Sequence, residues 1–140
     1  MQTFLPFSDF AESAKVLDYK RLGKQRVETM QIMQTLAGIS EGWKNHPAVR
    51  MWRGYEETLL EYQFHIIHEW ISRGYKDNVC WSKTESAYEL IGERRAAVPD
   101  WLGRADLHAS HRSNLLRKNI DWYGQFGWTD SDTLEYVWPV

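Results

Sequence analysis

The first residues that could do chemistry are a single carboxylate and the cations around it. When the residues from 15 to 31 are placed at about 100° per residue, Glu28 falls on one side of a helix with Lys20, Arg21 and Lys24. Neighbouring cations keep a carboxylate ionised, so its charge would be available for proton transfer or for stabilising a positive intermediate. The same spacing also fits a solvated ion pair between Lys24 and Glu28, which contributes little to stability. The pattern alone leaves both interpretations open.

Arg26 is a second candidate, because it projects from the opposite, apolar side of the same predicted helix. That side carries Val16, Tyr19, Leu22, Val27, Met30 and Met33. A guanidinium among apolar side chains needs a carboxylate, carbonyl groups or a phosphate as its partner. Two interpretations follow: a buried structural ion pair, or a cleft in which Arg26 binds the anion of a ligand.

A second basic region lies later in the chain. Residues 104–118 hold four basic residues against one acid, whereas residues 15–26 hold five against one. Hydrogen-bond donors along one helix of the later region suit backbone phosphates. The candidates there are His108, His111, Arg112, Asn114, Arg117 and Lys118. We expect Arg112, Arg117 and Lys118 to converge with Arg21 and Lys24 on one surface, although solvated helix faces would show the same pattern.

The histidines also permit a metal interpretation. His65 and His68 share the three-residue spacing of His108 and His111, and Glu61 lies one turn before His65. Such side chains could bind a metal ion if their helices faced each other, which would make the protein a metal-dependent hydrolase. We keep this as a lesser alternative and assign neither a metal nor a cofactor.

Glycine and proline residues divide the chain into four predicted helices. They cover residues 15–37, 48–72, 84–97 and 110–123, after an extended start at residues 1–5. No segment shows the alternation with a period of two that is typical of a strand. The predicted fold class is therefore all-α: a compact single-domain helical bundle over residues 1–140, with long loops and an aromatic C-terminal tail.

Composition narrows the class of protein. A chain of 140 residues has the size of one domain, and 43% hydrophobic with 26% charged residues is typical of a globular protein. The sequence has no membrane-spanning run or secretory signal, and its lone Cys80 excludes a disulfide framework, so we expect a cytoplasmic monomer. The net charge of −2 gives no global basic field, but 8 Trp, 7 Tyr and 5 Phe exceed the needs of one small core. Some of these rings should form a stacking surface.

Three parts of the chain, taken in order, resemble the pyrimidine-dimer DNA glycosylases of the endonuclease V type. Residues 17–28 (LDYKRLGKQRVE) are similar to the early basic helix of that family. Residues 45–52 (NHPAVRMW), followed by a long helix ending in Arg73-Gly74-Tyr75, are also similar. The third part is residues 108–118 (HASHRSNLLRK) with the aromatic residues after them.

The resemblance implies an all-α fold and base-excision chemistry. In that family the α-amine at the N-terminus attacks the sugar C1′ to form a Schiff base, and a glutamate assists ring opening and strand cleavage. Glu28 is the matching glutamate, and Arg26 is a further candidate catalytic residue. Because Gln2 is bulky, it should prevent removal of the initiator Met, so the amine would be that of Met1. This chemistry requires residues 1–5 to fold back until Met1 lies beside Glu28.

The function we predict is a DNA glycosylase that removes a damaged or modified pyrimidine, with AP-lyase activity, and its partner is duplex DNA. The predicted DNA contacts are Arg21, Lys24, His108, His111, Arg112, Asn114, Arg117 and Lys118. A nucleic-acid-binding module of the same fold without catalytic activity is the main alternative.

Overall fold

The computed structural model describes residues 1–92 and 97–140, and these residues form α-helices and one short 3₁₀ helix without any β-strand. The all-α prediction is therefore confirmed. The helices are α1 (Phe10–Val16), α2 (Tyr19–Leu36), α3 (Pro47–Arg50), α4 (Glu56–Ser72), α5 (Cys80–Glu89), α6 (Ala105–Lys118) and α7 (Ile120–Tyr123), with the 3₁₀ helix at Gly124–Phe126.

The core lies where α2 packs along both α4 and α5, while α1 packs against α4. Leu22, Ile32 and Met33 of α2 are fully buried, as are Leu59 and Ile66 of α4. Leu59 and Ile66 lie seven residues apart, and Ile32 and Met33 lie ten and eleven residues after Leu22, so each set falls on one face of its helix. Burying these side chains stabilises the helical bundle, which in turn positions the residues of the site.

Two of the predicted helices are each divided in two. The predicted helix 15–37 is interrupted because Leu17 and Asp18 have extended backbones. Asp18 is the N-cap of α2, which begins at Tyr19. The predicted helix 48–72 is interrupted between α3 and α4, where Gly54 has a φ of 88° that other residues rarely adopt. Gly54 therefore supplies the turn between these two helices.

The other two predicted helices have different bounds. Instead of residues 84–97, α5 covers Cys80–Glu89, and residues 93–96 of the prediction lie outside the described residues. Instead of residues 110–123, α6 begins at Ala105 and ends at Lys118. Asn119 separates α6 from α7, since its side chain accepts the Trp122 N–H at the start of α7.

The first six residues form an extended segment that is buried rather than free. The Phe4 N–H donates to Gln25 Oε1 at 2.9 Å, and Gln25 Nε2 donates back to the Gln2 carbonyl at 2.9 Å. Tyr62 donates its hydroxyl to the Phe4 carbonyl at 2.6 Å, and Trp52 Nε1 donates to Thr3 Oγ1 at 2.9 Å. Side chains of α2 and α4 thus satisfy the backbone groups that a sheet would otherwise pair.

The C-terminal tail after the 3₁₀ helix returns across α6. Ser110 and Ser113 accept the N–H groups of Val137 and Leu134 at 3.1 and 2.9 Å. Trp128 stacks against Tyr123 at a centroid distance of 5.7 Å. Within the described residues, no helix has the length and apolar character needed to cross a membrane.

Candidate active site

A cavity of about 460 Å³ opens where the N-terminal segment crosses α2. Its wall combines residues from the N-terminus, α2, the loop before α3, the end of α6 and the tail. The lining residues are Met1, Gln2, Phe4, Lys20, Arg21, Lys24, Glu28, His46, Lys118, Tyr136 and Trp138. Residues far apart in sequence therefore meet in one place.

Among the described residues that line this cavity, Glu28 is the only carboxylate. The backbone N–H of Gln2 donates to Glu28 Oε2 at 3.1 Å, and Lys24 Nζ lies 3.5 Å from Oε1. The Glu28 side chain is 12% exposed, whereas that of Lys24 is 71% exposed. The solvated ion pair that the sequence allowed is thus only part of the arrangement, because the N-terminal segment covers Glu28.

Met1 lines the same cavity as Glu28, although 27 positions separate them in sequence. Both charges act on His46: burial lowers the pKa of this histidine first, the N-terminal amine lowers it further, and Glu28 raises it. The amine, the carboxylate and the imidazole are therefore within electrostatic reach of one another.

Four cations from α2 and the end of α6 meet at the cavity: Lys20, Arg21, Lys24 and Lys118. Burial lowers the pKa of Lys118, and the charges of Arg21 and Lys24 lower it further. A second groove of about 430 Å³ shares Lys20, Arg21 and Lys118 and extends to Trp122. The cavity and the groove together make a basic surface on a protein whose net charge is negative.

Arg26, a predicted catalytic residue, does not line the cavity. Its guanidinium forms an ion pair with Asp77, whose side chain is 2% exposed, and lies 4.3 Å from the ring centroid of Trp70. Asp77, just before α5, and Trp70 of α4 therefore supply a buried carboxylate and an aromatic face for this cation, as the buried-pair interpretation of the sequence expects.

The two histidines of α6 bond backbone groups of the protein. His111 Nδ1 accepts the Leu5 N–H at 2.8 Å, and His108 bonds the Leu5 carbonyl through Nδ1 at 2.8 Å and the Gly103 N–H through Nε2 at 2.9 Å. Both rings are buried, and burial lowers the pKa of each, that of His111 to about 3. His108 and His111 are predicted phosphate contacts, and in this structure their side chains hold the N-terminal segment.

Arg112, Asn114 and Arg117 also bind protein groups rather than face the cavity. Arg112 pairs with Asp130 at 2.7 Å and donates to the Pro6 carbonyl at 2.7 Å. Asn114 Nδ2 donates to the carbonyls of Ser110 and Leu134, and Arg117 donates to Asn114 and to the tail. Of the five cations expected to converge, the structure brings together Arg21, Lys24 and Lys118, while Arg112 and Arg117 secure the C-terminal tail.

Several cavity residues were missed from the sequence: Gln2, His46, Tyr136 and Trp138. His46 carried a usable signal, because a histidine before Pro47 can cap a helix, and Nδ1 of His46 indeed accepts the Ala48 N–H at 3.0 Å. Gln2 and the tail aromatics gave no local signal, since only the tertiary fold brings them to α2.

The metal alternative gains no support. Across residues 1–92 and 97–140, no three His, Cys, Asp or Glu side chains come together in a way that could hold a metal ion. The ring nitrogens of His108 already bond backbone groups.

An all-helical fold with a cation-lined cavity is typical of proteins that bind a polyanion such as a nucleic acid. A family model described as pyrimidine dimer DNA glycosylase matches residues 1–83 of the 140, and the chain belongs to this family. The matched part contains Met1, Glu28 and His46. Neither a curated protein nor a solved structure shows a significant similarity to the chain. The family supports a glycosylase function of the pyrimidine-dimer type, with DNA as the substrate.

Proposed function

We propose that the protein excises pyrimidine dimers by an N-terminal amine mechanism and then cleaves the strand as an AP lyase. One observation carries this proposal: the N-terminal segment crosses α2 so that Met1 and Glu28 line the same cavity. A hydrolytic glycosylase would need a carboxylate and water, but it would have no use for a chain terminus that lines the same cavity as that carboxylate.

The chemistry assigned to the two groups is complementary. A neutral α-amine carries a lone pair and can act as a nucleophile. The nitrogen lone pair of Met1 would form a bond to C1′, and the pair of the C1′–N1 bond would leave with the base. Glu28 would take up the extra proton of the amine and return it to O4′ as the C1′–O4′ bond opens, which leaves the Schiff base. Loss of a C2′ proton would then break the C3′–O bond, so that the 3′-phosphate leaves and the strand is cleaved. The Gln2 N–H keeps one Glu28 oxygen oriented while the other remains towards Lys24.

DNA binding in this proposal rests on Arg21, Lys24 and Lys118, joined by Lys20. These cations surround the proposed reacting groups, and the groove towards Trp122 continues the basic surface beyond the cavity. Phosphates of the strand that carries the lesion would bind along this surface, and the aromatic side chains would stack on opened bases. We expect the protein to act as a cytoplasmic monomer without a cofactor.

The experiment that tests the proposal is borohydride trapping on a duplex with one cyclobutane pyrimidine dimer. A Schiff base is reducible, so the wild-type protein should form a covalent DNA adduct, and an undamaged duplex should give none. DNA binding without an adduct, and without cleavage of the glycosidic bond, would favour the non-catalytic binding module instead. Glycosidic cleavage without an adduct would favour a hydrolytic glycosylase that uses Glu28 and water.

A further inference from the structure

One ring nitrogen of His46 accepts a hydrogen bond at the start of α3, whereas the other has no partner among the described residues. The Ala48 N–H donates to Nδ1 at 3.0 Å, so this nitrogen carries a lone pair and the neutral ring holds its proton at Nε2. Nε2 makes no hydrogen bond to any residue that the structure describes. Because His46 lines the cavity, its Nε2–H is a neutral donor of fixed orientation there.

A second donor without a partner lies in the same wall. Gln2 is 7% exposed, and its Oε1 accepts the Thr3 N–H at 2.8 Å, which fixes the orientation of the amide. Its Nε2 is buried and lies near the Tyr136 hydroxyl, but it completes no hydrogen bond within the described chain. Burial raises the pKa of that hydroxyl, and the Gln2 amide offsets part of the rise. A buried donor without a partner is costly, which points to an acceptor supplied by a ligand.

The surroundings of these donors favour a base over a phosphate. Trp43 and Trp138 contact the His46 ring edge to face, at centroid distances of 5.5 and 5.7 Å. The charged partners for phosphates come from α2 and the end of α6 instead. A neutral donor beside aromatic rings matches a flat heterocycle with carbonyl oxygens, which a pyrimidine is.

We propose that His46 Nε2–H, assisted by Gln2 Nε2, donates a hydrogen bond to the O2 carbonyl of the pyrimidine that is being excised, an inference that rests on the proposed function. When the C1′–N1 bond breaks, its electron pair stays on N1 and delocalises onto O2. Charge does not spread to O4, because C5–C6 is saturated in a cyclobutane dimer. A donor fixed at O2 stabilises the departing base without transferring its own proton, which is the action of an oxyanion hole.

A donor at O2 should affect C1′–N1 cleavage but not strand cleavage at an abasic site, because only the first half-reaction involves O2. His46→Asn is the decisive variant: asparagine is a good N-cap and can keep the cap of α3, while its shorter side chain leaves no donor at the position of Nε2. Single-turnover cleavage of the C1′–N1 bond in a dimer duplex should slow by about a hundredfold, the usual loss for one oxyanion donor. Cleavage of a duplex with a preformed abasic site should be unchanged. His68→Asn, on the exposed face of α4, is the matched control and should alter neither rate.

Gln2→Met provides a second variant that keeps the length of the side chain and removes the amide. It should slow cleavage of the C1′–N1 bond and spare abasic-site cleavage, as His46→Asn does. Equal losses in both half-reactions, or no loss in the rate of C1′–N1 cleavage, would overturn the role at O2. The proposed function fails on a different result, namely the absence of a borohydride-trapped adduct with the wild-type protein.

Discussion

Acidification should loosen the N-terminal segment through His111. Its ring is 1% exposed, its Nδ1 accepts the Leu5 N–H, and burial together with the charge of His108 lowers its pKa to about 3. An unfolded histidine titrates near 6.5. Between these two values the unfolded chain binds more protons than the folded one. Stability contributed by neutral His111 is therefore complete above about pH 6.5 and is lost as the pH falls towards 3.

The magnitude follows from the linkage relation. One group that is protonated only in the unfolded state changes the free energy of unfolding by about 1.4 kcal/mol per pH unit. Lowering the pH from 6.5 to about 4.5 should thus cost roughly 2–3 kcal/mol through His111. His108 adds to the loss, because burial lowers its pKa as well.

The assay is urea unfolding, followed by tryptophan fluorescence, at several pH values between 7 and 4.5. His111→Asn is the comparison, since an asparagine carbonyl can still accept the Leu5 N–H but does not titrate. The wild-type protein should lose more stability on acidification than this variant. Parallel losses in both proteins would refute the argument that His111 is held neutral by the fold.

Three further predictions address the cavity and its surroundings. Glu28→Gln should lower turnover on a dimer duplex at least about a hundredfold while leaving DNA affinity nearly unchanged, because it removes the proton acceptor and little volume; a small loss would argue against Glu28 as the acid–base group. Lys118→Ala should reduce the slope of log affinity against log salt by about 0.9, as measured by fluorescence anisotropy, whereas Lys83→Ala on the exposed face of α5 should not change it. Arg26→Gln should lower the free energy of unfolding by roughly 3 kcal/mol because it leaves Asp77 buried without its partner; if stability is kept and only activity is lost, Arg26 has a catalytic role after all.

The helical class and the basic side of α2 were predictable because they depend on local periodicity. The positions of Lys20, Arg21, Lys24 and Glu28 on one side follow from 3.6 residues per turn. The burial of Glu28 was not predictable in this way. A helical wheel assigns polar residues to solvent, whereas here the N-terminal segment covers Glu28 and bonds to it through the Gln2 N–H, while Lys24 stays exposed.

The distant partners of the polar residues of α6 were not predictable for the same physical reason. His111 and Arg112 bond to residues 5 and 6, more than 100 positions earlier, and Arg112 also pairs with Asp130 of the tail. A polar side chain whose partner is distant in sequence looks unpaired, and so looks available for phosphate. The ends of this chain are held by such long-range contacts, which only the tertiary fold discloses.

Mapping the trapped adduct identifies the amine that attacks C1′, which we propose is the α-amine of Met1. The cavity also holds the lysine amines of Lys20, Lys24 and Lys118, and burial lowers the pKa of Lys118, which makes it the strongest competitor. After borohydride reduction and nuclease and protease digestion, tandem mass spectrometry locates the sugar remnant on a peptide. We predict that it lies on the α-nitrogen of Met1, and that acetylation of this amine abolishes trapping. A remnant on Lys118 or another lysine would show that a side-chain amine is the nucleophile instead of Met1.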